Sequence, residues 1–271
     1  MAIYTGIGGS AKSVSKIYTG VDGAARPVHK GYIGVDGVAK KFYDGGNPIS
    51  SFALGTEFGI ADPSGNTCWY KLVHKGVPGG GLYDSTANGA WLWRSSIAAS
   101  TSISGGYIYG YEGYALDNWC VNYPGGNITS SVANRLMTVH LPYVKQADYS
   151  SDKVSSGSNG LSRKCFLLSA VEMGIYTWQG IDGLMAQEGA KLDYFDYTTD
   201  ATDKRKADDE YWTRSKRTHN SNYMYAFYAD GSFCNAGYRE DSHGLRPCIV
   251  LPLNTLVTTV TFLWASINYI N

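Results

Sequence analysis

The chain has 271 residues, with 23 Lys and Arg against 23 Asp and Glu, only 17% charged residues, 33 Gly, 22 Tyr and 14% aromatics. Zero net charge excludes the concentrated positive field that nucleic acids and anionic membrane surfaces select, so neither is an expected partner. The length suits one large domain with an appendage, and abundant Gly and Tyr with few Lys and Glu favours short strands and structured loops over helical bundles. Tyr, Ser, Asn and Gly together also make a paratope-like composition, which supplies contact area at low entropic cost.

No basic region followed by an apolar stretch opens the chain, so no signal peptide is expected. Residues 3–44 instead repeat on a 14-residue period: IYTGIGGSAKSVSK (3–16), IYTGVDGAARPVHK (17–30) and GYIGVDGVAKKFYD (31–44). The first two units agree at eight of fourteen positions and the second and third at six, where unrelated sequence would agree at about one. Gly-Gly or Asp-Gly between two short extended runs predicts one hairpin per unit. A hairpin of this size buries no core alone, so the three must lean on each other, on the main domain or on other copies. A stalk is the expected role. The competing one, calcium ligation by Asp22 and Asp36, is weakened by Gly8 at that position of the first unit. The units resemble the tandem repeats of pattern IYxGVDGxARxVxK in tail-associated proteins of phages and prophages of Gram-positive bacteria. That resemblance implies assembly in the bacterial cytoplasm, a place in the virion tail and contact with other tail proteins.

The GGNP sequence at 45–48 marks the expected boundary between a repeat module, 1–46, and a main domain, 47–271. In chain order, 66–76 predicts a strand with Trp69 and Leu72 inward, 77–81 (VPGGG) a loop, and 91–97 (WLWRSSI) a strand or short helix. Val132, Leu136, Val139 and Tyr143 at helical spacing behind a Thr/Ser cap predict a helix over 129–145, ending near Pro142. KCFLLSAVEMG (164–174) predicts a strand turning at Ser169 into a short helix, with Glu172 at the third position of a capping box. Residues 190–197 predict a helical turn. An Asp-Gly turn at 230–231 predicts a hairpin of 222–228 with 232–238, and CIVL (248–251) a strand buried on both faces. The closing run VTTVTFLWASINYIN falls short of the ~20 apolar residues of a membrane helix and predicts a β-branched strand, so no membrane insertion is expected. Together these elements predict an α+β domain.

YWTRS (211–215), FYADGSF (227–233) and GLRPCIVLPL (244–253), preceded by KCFLLSAVEMG, resemble the DUF6273 family of bacterial and phage domains. Thr213 stands where Leu is usual there, and Cys248 where Ala is common. The family looks like a branch of the C-type lectin fold, which also houses the formylglycine-generating enzymes and receptor-binding proteins diversified by phage retroelements. In such a fold Trp212 anchors the core, Arg214 and Arg246 satisfy buried carbonyls or carboxylates, and Pro247 fixes the entry to the last core strand.

Chemistry is harder to find. His29, His74, His140, His219 and His243 are isolated, and neither HExxH nor CxxC accompanies them, so neither metal nor cofactor is expected. Cys68, Cys120, Cys165, Cys234 and Cys248 are expected reduced and mostly buried, with a Cys120–Cys165 pair left open. DNW at 117–119 does not reproduce the lectin calcium motifs. Asp193 with Asp196, or the cluster Asp208, Asp209 and Glu210, would be the paired acids of a glycosidase; solvated loop acids are the commoner meaning.

What remains is a stretch in which Tyr and Arg, the residues that anchor interfaces, crowd between two framework motifs. The expected ligand-binding residues are Lys216, Arg217, His219, Asn220, Asn222, Tyr223, Tyr225, Tyr228, Asn235, Tyr238, Arg239, Asp241 and His243. An ordinary polar hairpin is the plainer interpretation. Retroelement diversification of 213–246 would involve only a subset of positions, because Lys216, Met224 and Glu240 are not products of mutagenised Asn-type codons. The leading expectation is a non-enzymatic tail-tip protein that binds a host-surface protein or glycan, with a homotrimer as one expected assembly. An enzyme of the same fold or a cell-wall hydrolase using the acids near 193–210, and a structural tail component, are the alternatives.

Overall fold

Short β-branched and aromatic runs separated by Gly-containing links dictate a chain of many strands. The computed structural model describes residues 46–103, 110–146, 153–175, 185–217, 222–261 and 266–271, and between residues 4 and 44 the backbone of six strands. Each 14-residue unit carries one antiparallel pair: β1 (Tyr4–Ile7) with β2 (Ser10–Ser13), β3 (Tyr18–Val21) with β4 (Ala24–Pro27), and β5 (Lys30–Val35) with β6 (Val38–Asp44). The register repeats with the sequence, since Gly6, Gly20 and Gly34 lie opposite Ala11, Ala25 and Ala39. The links at 8–9, 22–23 and 36–37, and with them Asp22 and Asp36, lie outside the described residues.

The body continues with β7 (Asn47–Pro48), β8 (Glu57–Ala61), β9 (Thr67–Gly76), β10 (Gly89–Arg94), β11 (Ala99–Thr101), α1 (Ala115–Asn127) and α2 (Ser130–Ala133). Then come β12 (Val139–Leu141), β13 (Tyr143–Gln146), β14 (Lys153–Ser155), β15 (Leu161–Arg163), β16 (Cys165–Leu167), β17 (Tyr211–Lys216), β18 (Tyr223–Phe227) and β19 (Phe233–Tyr238). The last are β20 (His243–Leu245), β21 (Pro247–Leu251), β22 (Leu256–Thr261) and β23 (Ser266–Ile270). Eight strands form one sheet in the order β16-β21-β10-β9-β8-β23-β22-β7, and five form a second in the order β11-β20-β17-β18-β19. Most neighbours are antiparallel and the helices few, so the class is α+β. Among the described residues no helix is long and apolar enough to cross a membrane.

In the large sheet β10 lies between β21 and β9. All five residues of β21 are buried, as a strand flanked on both sides requires. Trp91 packs edge-on to Tyr83 and Phe166, with ring centroids 5.8 and 5.4 Å away, and Trp93 to Phe195 at 5.5 Å. Gly89 is forced by contact: a Cβ there would lie 2.4 Å from Val250 and 2.8 Å from the Met137 sulfur. In β9 Leu72 is buried as expected, whereas Trp69 is half-buried and packs beside Tyr269, 6.0 Å between rings. All five cysteines are free and buried.

The helix expected over 129–145 is absent. Only α2 forms one turn there, and the chain then enters β12 and β13. Val139 and Leu141, which also satisfy a period of two, pair with Arg163 and Leu161, and Met137 N–H reaches Val250 O at 2.9 Å. The longer helix is α1, where Leu116, Cys120 and Tyr123 form the buried stripe despite Pro124 within it. Its first turn is fixed by Asp117, fully buried, which accepts from Gly113 N–H at 2.8 Å and from Arg163 at 2.7 and 2.6 Å. The closing segment is a strand pair rather than one strand. Its second member, β23, runs parallel to β8 with Ile270 opposite Ile60, so it finds its packing within the chain. Pro247 does open a core strand, but not the last one.

Ser169 and Glu172 make the reciprocal capping box: Ser169 N–H donates to Glu172 Oε2 at 2.9 Å and Glu172 N–H to Ser169 Oγ at 3.1 Å. The turn they close is a single one, ended by Gly174 at φ 90°, where a Cβ would collide with Asp196 O. The same Glu172 carboxylate takes both terminal nitrogens of Arg214, whose Nη2 lies 2.7 Å from Oε1, and the Tyr83 hydroxyl at 2.5 Å. Arg214 also donates to the carbonyls of Leu167, Pro142 and Glu188. Glu172 and Arg214 are fully buried. Burial opposes the guanidinium's charge, yet the carboxylate against it raises its pKa above the ordinary value. Removing either partner of such a pair leaves an uncompensated buried charge. Glu172→Gln and Arg214→Met are each expected to cost about 3–5 kcal/mol in urea denaturation, and the double variant to fall short of their sum by about 2 kcal/mol. Additive costs would show that the two side chains act separately.

Glu188 lies beside this pair, buried, with Oε2 lacking a hydrogen-bond partner. Burial pushes its carboxyl up to about 7, against the opposing pull of Ser215 and Arg214. The folded chain therefore holds a proton that the unfolded chain releases near pH 4.5. Stability from this group is full below that pH and is lost as pH rises through 7. Glu188→Gln is expected to flatten the stability profile between pH 5 and 8 and to gain roughly 2–4 kcal/mol over the parent at pH 8. Parallel profiles for the two proteins would place the proton elsewhere.

Candidate binding face

The expected face lies on the five-stranded sheet, whose spine is β17. All six of its residues are buried. Trp212 Nε1 donates to Thr101 O at 2.9 Å, which ties β17 to the strand β11, and the His243 ring stands edge-on to the Trp212 ring at 4.2 Å. Thr213, where Leu would have filled space, instead donates its hydroxyl to Tyr225 O at 2.7 Å and so fastens β18 to β17.

The β18–β19 hairpin forms as expected, Tyr223 opposite Tyr238 and Phe227 opposite Phe233. Its turn closes with Tyr228 N–H to Ser232 O at 3.0 Å and Gly231 N–H to Tyr228 O at 2.9 Å. Gly231 has φ 84°, and a Cβ there would lie 2.4 Å from Thr202 O, so only glycine fits. Two hydrogen bonds from Ser232 hold the Asp230 carboxyl below the usual carboxylate range. Behind the turn, Arg205 is buried, stacks 4.8 Å from the Phe227 ring centroid, and donates to the carbonyls of Gly231, Thr198, Asp200 and Met173. A lone Arg in a polar loop carries no local signal of burial.

The thirteen expected residues divide. Arg217, Asn222, Tyr223, Tyr238 and Arg239 are half-buried at one end of the hairpin. Tyr223 and Tyr238 meet at 5.5 Å between rings, the Arg217 guanidinium lies 5.5 Å from the Tyr223 centroid, and Arg239 N–H donates to Asn222 O at 2.8 Å. Asp241 is exposed beyond them, and His243 is held by Glu210, Nδ1 to Oε2 3.2 Å. Lys216 and Tyr225, expected on the exposed face, are 1% and 3% exposed. A bulge between Met224 and Ala226 turns Tyr225 inward onto Phe233, 5.2 Å between rings, and Lys216 closes a wholly buried strand with its ammonium on Arg217 O. Tyr228 is exposed but at the far turn, five residues from Tyr223, or about 16 Å along an extended strand. A hydrogen bond with Cys234 raises its phenol pKa. His219 and Asn220, and the side chain of Asn235, lie outside the described residues.

Four of the five acids of the enzyme alternative have structural partners. Asp193 lies 2.9 Å from His74, Asp196 holds Lys204 at 2.9 Å, Asp209 caps the Glu210 amide at 2.8 Å, and Glu210 holds His243. Burial pushes the Cys248 thiol well up, as for an inert core cysteine.

Residues 88–253, more than half of the chain, match the family described as a domain of unknown function, DUF6273. The chain belongs to that family. No curated protein and no solved structure matches it.

Proposed function

We propose that the chain is a non-enzymatic phage or prophage tail-tip protein, whose repeat units attach it to the particle and whose lectin-like body binds a host-surface protein or glycan. The observation that carries the reading is the half-exposed quartet Arg217, Tyr223, Tyr238 and Arg239 at one end of the β18–β19 hairpin. Rigid aromatics and planar guanidiniums concentrate binding energy, and here the two tyrosines stand on β18 and β19 while Arg217 and Arg239 directly follow the ends of β17 and β19. Asn222, Asp241 and His243 extend the same end, whereas Lys216 and Tyr225 serve the packing and Tyr228 lies apart.

Tyr223→Ala and Tyr238→Ala in the full chain are each expected to weaken binding to susceptible bacterial cells about 10-fold or more, a loss of the size interface anchors give. Undiminished binding by the double variant, measured with labelled protein in flow cytometry, would sink the reading. Diversification makes a separate demand: a reverse-transcriptase gene and a template repeat matching the codons of 213–246 near the locus. A locus with neither leaves the face fixed.

A further inference from the structure

A cleft of about 710 Å³ opens on the other sheet, away from the hairpin. Its floor and walls come from β8, β9, β23 and the turn around Tyr194, and its size is in the range of small-molecule sites. Two half-buried aromatics, Trp69 and Tyr194, line it together with Glu57, Lys71 and Asn268. Gly55, at φ 85°, backs onto the Tyr194 ring, and a Cβ there would sit 3.0 Å from the ring edge. The opening at Tyr194 therefore depends on a residue without a side chain.

The polar groups alternate in sign and role. Glu57 Oε1 accepts from Ser95 Oγ at 2.7 Å and lies 3.8 Å from Lys71 Nζ, and its side chain is 47% exposed. Lys71 Nζ in turn lies 5.6 Å from the Tyr194 centroid. Asn268 Oδ1 accepts from Thr259 Oγ1 at 2.8 Å, which orients its amide nitrogen to donate. An anionic ligand would meet the Glu57 carboxylate and a cationic one the Lys71 ammonium. A neutral polyol suffers neither conflict: its hydroxyls donate to Glu57 and accept from Lys71 and Asn268, while the C–H face of a pyranose ring lies on the Trp69 indole, since Lys71 and Lys204 already stand 5.6 and 5.5 Å from the Tyr194 ring centroid.

We infer that this cleft binds a neutral saccharide unit, a hexose or N-acetylhexosamine, as a site separate from the hairpin face. The inference does not rest on the receptor-binding reading.

The test is saturation-transfer NMR and Trp fluorescence on the full chain, with glucose, galactose, N-acetylglucosamine, N-acetylgalactosamine and their β-linked disaccharides. Glucuronate and glucosamine serve as charged controls. At least one neutral sugar is expected to bind, the charged controls at least about 5-fold more weakly, and Glu57→Gln and Asn268→Ala each to lose about 5-fold or more. Trp69→Ala should abolish the signal; because Trp69 also packs on Tyr269, the two polar variants keep the test independent of its folding. Tyr223→Ala should leave sugar binding intact. No binding by any neutral sugar, equal or tighter binding of a charged control, or full binding by Glu57→Gln and Asn268→Ala would each overturn the assignment.

Discussion

The buried Arg214–Glu172 pair is the constraint on which the body depends. Arg214 projects from the five-stranded sheet, Glu172 from the turn that follows β16 of the eight-stranded sheet, and neither reaches solvent. The carboxylate cannot release the guanidinium without leaving two unpaired charges in the core, a cost of several kcal/mol for each. The contact therefore fixes how the two sheets meet. Its other partners, Tyr83 and the carbonyls of Pro142, Leu167 and Glu188, bring three further segments to the same point.

Two more arginines repeat the device without a carboxylate. Arg246 stacks 3.4 Å from the Trp93 centroid and donates to the carbonyls of Arg94, Ser95, Arg205 and Lys206, while Arg205 gathers those around the hairpin turn. The reason lies in the proportion of irregular chain. Loops that cross a core carry carbonyls with no ladder to join, and every buried carbonyl requires a donor. A planar guanidinium with five N–H groups satisfies several from one position, at the cost of desolvating its charge, which lowers the Arg246 pKa to about 10.

What the sequence revealed, it revealed through local rules. The Asp-Gly hairpin, the Ser169–Glu172 box and the doubly buried CIVL strand follow from turn chemistry, capping and hydrophobic continuity. Arg214 and Glu172 were each legible as framework residues, but their union across 42 positions was not. Residues 129–145 carry a degenerate period: Val132, Leu136 and Val139 suit a helix, while Val139, Leu141 and Tyr143 suit strands, and pairing with β15 decides between them. The helix α1 was hidden by the PGGN at its end, although Leu116, Cys120 and Tyr123 already stood four and three residues apart. On the hairpin, alternation placed Tyr223 and Tyr225 on one side, and the bulge separated them. Bulges leave no compositional mark.

That bulge also sharpens the question of which positions on the face are free to vary. Of the three residues that do not fit a mutagenised Asn-type codon, Lys216 and Met224 are each 1% exposed and paired across β17 and β18. Their constancy would follow from packing alone, whatever the ligand. Arg217, Asn222, Tyr223, Tyr238 and Asp241 sit outside the core, so substitution there spares the framework that Trp212, Thr213 and Arg205 hold. Glu240 is the residue that burial does not explain: its side chain is 63% exposed and 3.9 Å from Arg239. Because Lys216 and Met224 are held in the sheet while Arg217, Asn222, Tyr223, Tyr238 and Asp241 stand outside the core, the outer side chains can change without altering the strands that present them.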